Sequence, residues 1–162
     1  MNLLESLAAE WYGYRGYFVR SNVRTGKLAH GGYASELDVL AYSPTKGELV
    51  HIETSSDALV WTKREERMKR KFKLHHSTYE KVFNVKVGKV RKIAVCGTSY
   101  DSKGLIWGDI EVKTIREFVK GIWDELSVID LMRQAVPESY PLLRVMQMSA
   151  WATKKSGTAR KH

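Results

Sequence analysis

Alternating polar and apolar residues between positions 35 and 56 predict two β-strands joined by a short turn. The turn is predicted at 43–47, because the sequence Ser-Pro-Thr-Lys-Gly favours special backbone angles and local hydrogen bonds. One predicted face of the first strand carries Glu36, Asp38 and Leu40. Its opposite face carries Leu37, Val39 and Ala41. On the second strand, one face carries His51, Glu53 and Ser55.

Two of these acids are predicted to lie opposite each other. If the turn is symmetric about Thr45 and Lys46, Asp38 lies directly across from Glu53. Cross-strand neighbours have Cβ atoms about 4.5–5.5 Å apart, and like charges at that distance destabilise a sheet. Glu36 is a third carboxylate on the same predicted face. A hard divalent cation such as Mg²⁺ would neutralise this group, because it prefers oxygen ligands.

The rest of the pattern predicts helices and strands around this hairpin. An apolar stripe predicts a helix from residue 2 to about 14, followed by a strand at 17–24 and a glycine-rich loop at 25–33. A capping-box pattern at 62–65 predicts the start of a long helix that reaches residue 83. Later segments predict strands at 92–97 and 110–113, a helix that begins with a second capping box at 114–117, and a helix from Pro141. This order predicts an α/β fold with a mixed sheet.

Composition sets the broad class of protein. The length of 162 residues predicts one domain over 1–152, followed by a basic, disordered tail at 153–162. The formal net charge of +9 favours a polyanionic partner, with nucleic acid first and an anionic membrane surface second. No apolar run approaches the roughly 20 residues that span a bilayer, so no membrane protein is expected. The single cysteine, Cys96, permits no internal disulfide and predicts a cytoplasmic protein in which this thiol is an inert core group.

The acidic hairpin resembles the core of the PD-(D/E)xK nuclease superfamily, also called the restriction-endonuclease-like fold. The resemblance rests on Glu36-Leu-Asp38-Val-Leu-Ala, a turn, and a second apolar strand that carries Glu53, all within a helix, strand, hairpin, helix, strand series. It implies a mixed central sheet flanked by helices, with Mg²⁺, or Mn²⁺ in its place, held by Asp38 and Glu53. In that family a Lys two residues after the Glu completes the site, whereas Ser55 stands at that position here. Nucleases of this kind are often dimers, so a homodimer is a further expectation.

Other residues are candidates for the parts that this resemblance leaves open. Glu36 and Glu10 are candidate supporting metal ligands, although an exposed helix acid is an equally favoured interpretation of Glu10. Ser55 can hydrogen-bond a water but carries no charge. A second metal held with Glu36, or a cation from the following helix, would then replace the missing lysine. Lys63 is the first candidate for that cation and Arg64 the next, while the other interpretation makes Lys63 one more solvated charge.

Basic residues near the hairpin predict a surface that binds phosphates. Lys27 lies in the glycine-rich loop, where a backbone without Cβ atoms can approach a ligand closely. The long helix carries charges of nearly one sign on the faces away from its apolar stripe. Its candidate phosphate contacts are Arg64, Arg67, Arg70 and Lys71.

Together these patterns favour a metal-dependent nuclease that hydrolyses phosphodiester bonds, in DNA more than in RNA. A second interpretation is a catalytically inactive nucleic-acid-binding domain on the same fold, which Ser55 in the lysine position supports. A third is a structural or partner-binding protein with an exposed acidic hairpin, which the repulsion among three carboxylates argues against. The first interpretation predicts that Asp38→Ala and Glu53→Ala abolish cleavage and leave the fold intact or slightly more stable.

Overall fold

The computed structural model describes residues 2–57, 60–97, 102 and 104–153. Its helices are α1 Leu3–Tyr14, α2 Trp61–Lys71, α3 His76–Phe83, α4 Ile115–Ser127 and α5 Pro141–Thr153. Its strands are β1 Phe18–Lys27, β2 Tyr33–Ser43, β3 Glu48–Ser55, β4 Lys89–Cys96, β5 Ile106–Trp107 and β6 Ile110–Thr114. No helix in these described ranges is both long and apolar enough to cross a membrane.

The strands form one mixed sheet of six strands in the order β1-β2-β3-β4-β6-β5. β1, β2 and β3 are antiparallel neighbours, and β5 is antiparallel to β6. β4 is parallel to both β3 and β6. A parallel pair needs a crossover connection, which α2 and α3 provide between β3 and β4. This arrangement confirms the predicted α/β fold with a mixed central sheet flanked by helices.

One face of the sheet packs against α1, α4 and α5. The buried residues that the sheet contributes to this core are Val39, Ala41, Val50, Ile52, Ile93 and Val95. The helices contribute Leu7, Trp11, Phe118, Ile122 and Leu143, among others. Side chains of alternate strand residues share a face, so this core fixes which side of β2 and β3 the intervening residues occupy.

The ends of α1 and α4 follow the local sequence closely. Asn2 and Glu5 form a capping box at the start of α1. Thr114 and Glu117 form the predicted capping box of α4. Each box satisfies backbone N–H groups that a helix start leaves unpaired, so both helices begin where their side chains provide these partners.

The opposite face of the sheet packs against α2 and α3, which bury Met68, Phe72 and Tyr79. Leu37 joins Leu40 in the core on this side, whereas alternation predicted opposite faces for these two residues. Asn22 of β1 lies between the residues that pair with Val39 and Leu37 and has φ 52°, in the left-handed region.

The single long helix predicted to reach residue 83 is wrong, because α2 ends at Lys71 and α3 begins at His76. The rings of Phe72 and Tyr79 both pack on His51, with centroid distances of 4.6 and 5.6 Å. In a straight helix, residues seven apart are separated by about 10.5 Å along the axis. The interruption between α2 and α3 allows the rings of Phe72 and Tyr79 to contact the same side chain, that of His51. The capping box predicted at 62–65 is also wrong, since the N-cap is Val60 and it has no side-chain cap.

The glycine-rich segment is shorter than predicted, because β1 continues to Lys27, which lies opposite Tyr33 on β2. Thr153, the first residue of the predicted tail, is instead the last residue of α5. The remainder of that predicted tail lies outside the described residues.

Candidate active site

The hairpin register brings Asp38 and Glu53 together as predicted. Val39 lies opposite Ile52, and the ladder continues symmetrically to the turn. The Asp38 backbone N–H donates to Glu53 Oε1 at 3.3 Å. In the other direction, Thr54 donates to Asp38 Oδ2 from its backbone N–H at 2.8 Å and from its hydroxyl at 3.2 Å. Each carboxylate therefore has one oxygen held by the neighbouring strand.

Lys71, the last residue of α2, supplies a positive charge between these two carboxylates. Its Nζ donates to Asp38 Oδ1 at 3.0 Å and also to Glu53 Oε2. The Lys71 side chain is one-quarter exposed, whereas that of Glu53 is fully buried. The acidic pair thus receives its neutralising cation from the chain itself, and Lys71 is a site residue rather than only a phosphate-binding surface charge.

The surroundings shift the pKa values of all three groups. Burial raises the pKa of Glu53, but its hydrogen bond from His51 and the charges of His51 and Lys71 outweigh burial and hold it below its ordinary value. Burial and then the Glu53 charge raise the pKa of Asp38, despite hydrogen bonds from Thr54 and Lys71. Burial alone would lower the pKa of Lys71, yet the charges and hydrogen bonds of Glu53 and Asp38 raise it. Glu53 and Lys71 are therefore charged at neutral pH.

A buried histidine, which the sequence did not assign to the site, contacts Glu53. His51 Nε2 lies 2.8 Å from Glu53 Oε1, and His51 Nδ1 lies 3.0 Å from Tyr79 Oη. All three residues are almost completely excluded from solvent. The sequence does contain one sign of this contact. His51 precedes Glu53 by two residues, so the two side chains share a face of β3.

Three cations of α2 face the sheet, because 64, 67 and 71 fall on the same helical stripe as Met68 and Phe72. Arg64 is buried, contrary to the predicted phosphate contact. Its Nη2 donates to the Asp57 backbone oxygen at 2.6 Å and to Asp57 Oδ1 at 3.4 Å. Arg67, whose side chain is 41% exposed, pairs with Asp57 Oδ2. Both arginines therefore pair with Asp57, just beyond the end of β3, with Arg64 buried and Arg67 partly exposed.

Ser55 and Lys63 do not join the carboxylate pair. Ser55 Oγ donates to Asp57 Oδ2 at 2.5 Å. Lys63 is exposed in the first turn of α2. It lies about 12 Å along the helix axis from Lys71, since eight residues separate the two. The prediction that Lys63 supplies the missing lysine is wrong. Proximity in sequence favoured a cation at the start of α2, whereas the cation beside the carboxylates is at the end of that helix.

The structure does not bring the two predicted supporting metal ligands, Glu10 and Glu36, into contact with Asp38 and Glu53. Glu10 lies on the other side of the sheet, where its Oε2 accepts from the backbone N–H groups of Leu142 at 2.9 Å and Leu143 at 3.1 Å. Glu36 pairs with Arg24 on β1, at 3.1 Å from Nε to Oε2. In the ranges that the structure describes, no group of three or more His, Cys, Asp or Glu side chains is placed to hold a metal ion. The donor set is therefore the two carboxylates of Asp38 and Glu53.

A surface groove includes Asp38 and Lys71 of this cluster in its lining. One wall comes from β1 and β2, at residues 25–26 and 34–36, and Asp38 and Lys71 lie between the walls. The other wall is formed by Arg70, Lys73, Leu74 and Thr78. Arg70 and Lys73 are exposed cations. Lys27 is exposed at the end of β1, beyond the residues that line this groove. The groove thus has two exposed cations on one wall, Glu36 on the other, and the partly buried Asp38 between them.

No protein-family model matches this chain, and no curated protein matches it. One similar solved structure is the crystal structure of a protein of unknown function, AF1548, with a TM-score of 0.49 and 16% sequence identity. That similarity covers 90% of this chain and 79% of the other chain.

Proposed function

We propose that this protein is a metal-dependent nuclease that hydrolyses phosphodiester bonds in nucleic acid, with DNA as the favoured substrate. The observation that carries the proposal is the position of Lys71 Nζ, within hydrogen-bond reach of both Asp38 and Glu53. A nuclease site of the PD-(D/E)xK kind needs two carboxylates and one lysine. Here the lysine of that set comes from α2 instead of from position 55. The order α1-β1-β2-β3-α2-α3-β4 further supports a restriction-endonuclease-like interpretation of the fold.

Asp38 and Glu53 fit a hard divalent cation. Asp38 Oδ1 and Glu53 Oε2 converge on one positive charge, the Lys71 ammonium, so the same oxygens can serve Mg²⁺ or Mn²⁺. When bound, such a metal supplies Lewis-acid stabilisation of phosphate oxygens and a bound water of lowered pKa.

The other residues of the groove would position the nucleic acid. Lys71 has a long and flexible stem, so its ammonium can leave the carboxylates and donate hydrogen bonds to an oxygen of the scissile phosphate or to the attacking water. Arg70 and Lys73 would hold neighbouring phosphates at the rim. These contacts carry no base information, so the proposal predicts binding that is largely independent of sequence.

A catalytically inactive nucleic-acid-binding domain is the second candidate. Lys71 already neutralises both carboxylates without a metal, which is the observation that favours this alternative.

The cytoplasmic location remains part of the proposal, because the lone thiol suits a reducing compartment. The homodimer also remains part of the proposal, and sedimentation velocity of the purified chain would test it.

The deciding experiment is cleavage of labelled single-stranded DNA, duplex DNA and RNA with Mg²⁺, Mn²⁺ or a chelator. We expect cleavage that needs the metal, that Asp38→Asn abolishes and that Asp109→Asn leaves unchanged. Asp109 is the matched control, since it is exposed and pairs with Lys92 away from the groove. Salt-sensitive binding by a wild-type protein that cleaves none of these substrates would instead establish the inactive domain.

A further inference from the structure

The ring of His51 occupies a fully buried place between Glu53 and Tyr79, and the proposed reaction does not itself require a histidine there. We propose that His51 is a positioning residue, which fixes the Glu53 carboxylate so that Oε2 alone is presented to the cation beside Asp38. The proposal rests on the proposed function, because it concerns the same pair of carboxylates.

The two oxygens of Glu53 have different partners. Oε1 accepts from His51 Nε2 at 2.8 Å and from the Asp38 backbone N–H at 3.3 Å. Oε2 lies toward Asp38, where it accepts from Lys71. The terminal torsion of a glutamate is broad and has no strong intrinsic preference, so an unrestrained carboxylate rotates freely. The bond from His51 removes that freedom and leaves one oxygen for the cation.

His51 can do this because its own ring is held on the other side. A carboxylate only accepts hydrogen bonds, so the Nε2 that faces Glu53 carries a proton. Nδ1 faces the Tyr79 hydroxyl at 3.0 Å, and the edges of Phe72 and Tyr79 enclose the ring. No solvent reaches this network to compete for the hydrogen bonds, which strengthens them. Tyr79 therefore orients His51, and His51 orients Glu53.

Two polar substitutions of His51 separate this role from simple packing. A Gln amide reaches about as far as Nε2, so His51→Gln retains a donor for Glu53. An Asn amide reaches only about as far as Nδ1, so His51→Asn loses that donor. Outer partners of metal ligands typically contribute about 10–100-fold to metal affinity. We expect His51→Asn to weaken Mn²⁺ binding by about 10-fold or more, and His51→Gln by less than about threefold.

The measurement is Mn²⁺ titration of the full chain by calorimetry, with Tyr79→Phe and Ile122→Val as companions. Tyr79→Phe should weaken binding by an amount between the two His51 variants. Ile122→Val changes the core on the other face of the sheet and should leave the affinity unchanged. If His51→Asn does not fold, the comparison of Tyr79→Phe with Ile122→Val carries the test, because packing alone would give both variants the wild-type affinity.

The outcomes distinguish this proposal from the proposed function. Equal Mn²⁺ affinities for His51→Asn, His51→Gln and wild type would overturn the positioning role, even if all three cleave DNA. A wild-type protein that binds Mn²⁺ and loses affinity in His51→Asn, yet cleaves nothing, would support the positioning role and refute the nuclease. A wild-type protein that binds no Mn²⁺ would overturn the positioning role directly.

Discussion

The Nζ atom of Lys71 lies 3.0 Å from Oδ1 of Asp38, although 33 residues separate them in the chain. The contact depends on where α2 begins and ends, because Lys71 reaches the carboxylates only from the last turn of that helix. The positive charge of the site is therefore carried by a helix that packs across the sheet, and not by the strand that carries Glu53.

Replacing Lys71 should distinguish a specific catalytic role of this residue from a general effect of removing a positive charge. We expect Lys71→Met to lower Mg²⁺-dependent turnover by about 100-fold or more, which corresponds to about 2.7 kcal/mol of transition-state stabilisation. Lys63→Met is the matched control, since Lys63 is exposed on the same helix, and its turnover should equal that of wild type. Initial rates at saturating substrate, with folding checked by thermal melting, provide the measurement. Equal losses in both variants would contradict the assignment of Lys71.

Glu53→Ala should destabilise the fold, which reverses the expectation from the sequence alone. That expectation considered only repulsion between two acids, whereas buried Glu53 also accepts from His51 and Lys71. Removing one partner of a buried ion pair costs about 3–5 kcal/mol, because the remaining charge is left uncompensated. Denaturant titration should show a loss of about 3 kcal/mol in the free energy of unfolding. Glu111→Ala breaks the half-exposed pair with Arg91 and should cost about 1 kcal/mol or less.

The two exposed cations of the groove predict a specific dependence of binding on salt. Each phosphate contact adds about 0.9 to the slope of log affinity against log salt concentration. Arg70→Ala with Lys73→Ala should therefore lower the slope for duplex DNA by about 2. The control pair is Arg116→Ala with Lys120→Ala on α4, and its slope should match wild type. Anisotropy titrations at several salt concentrations, in chelator to prevent cleavage, measure both slopes. An unchanged slope in the Arg70 and Lys73 variant would mean that another surface binds.

Cys96 should resist thiol reagents until the protein unfolds. Its side chain is fully buried, and burial raises the pKa of the thiol to about 11, although the charge of Arg64 acts to lower it. The thiolate is the reactive form, so a pKa two units above the ordinary value reduces the rate by about 100-fold. Iodoacetamide labelling at pH 8, with and without denaturant, tests this. Labelling of the folded protein as fast as the unfolded one would show that the thiol is accessible.

The sequence predicted the features that local chemistry determines. The hairpin register follows from the turn residues and from alternation, so the approach of Asp38 to Glu53 could be stated in advance. The capping box at Thr114 likewise depends only on residues within one helical turn. Mixed parallel and antiparallel pairing followed from the order of the predicted elements.

The remaining parts of the site depend on tertiary packing. From sequence alone, a helix with this many charged residues is expected to be solvated. Arg64 is instead buried, and its partner is Asp57, just beyond the end of β3. The break after Lys71 accompanies the packing of two aromatic rings on one histidine, and no glycine or proline marks it. In the sequence His51 has no evident partner, whereas in the structure its ring is hydrogen-bonded to Tyr79. Each of these facts concerns residues that meet only after α2 and α3 fold onto the sheet.

The bonds from Leu142 and Leu143 to Glu10 also govern when the chain can finish folding during synthesis. Glu10 lies 132 residues before its first partner, so this contact cannot form until the ribosome has released the start of α5. Contacts this distant in sequence close large loops and form late. The hairpin, α2 and β4 are translated well before that point, so the acidic pair and its lysine can assemble while the apolar face beneath α1 still lacks its last helix. A nascent chain stalled before residue 141 would therefore expose that face to chaperones.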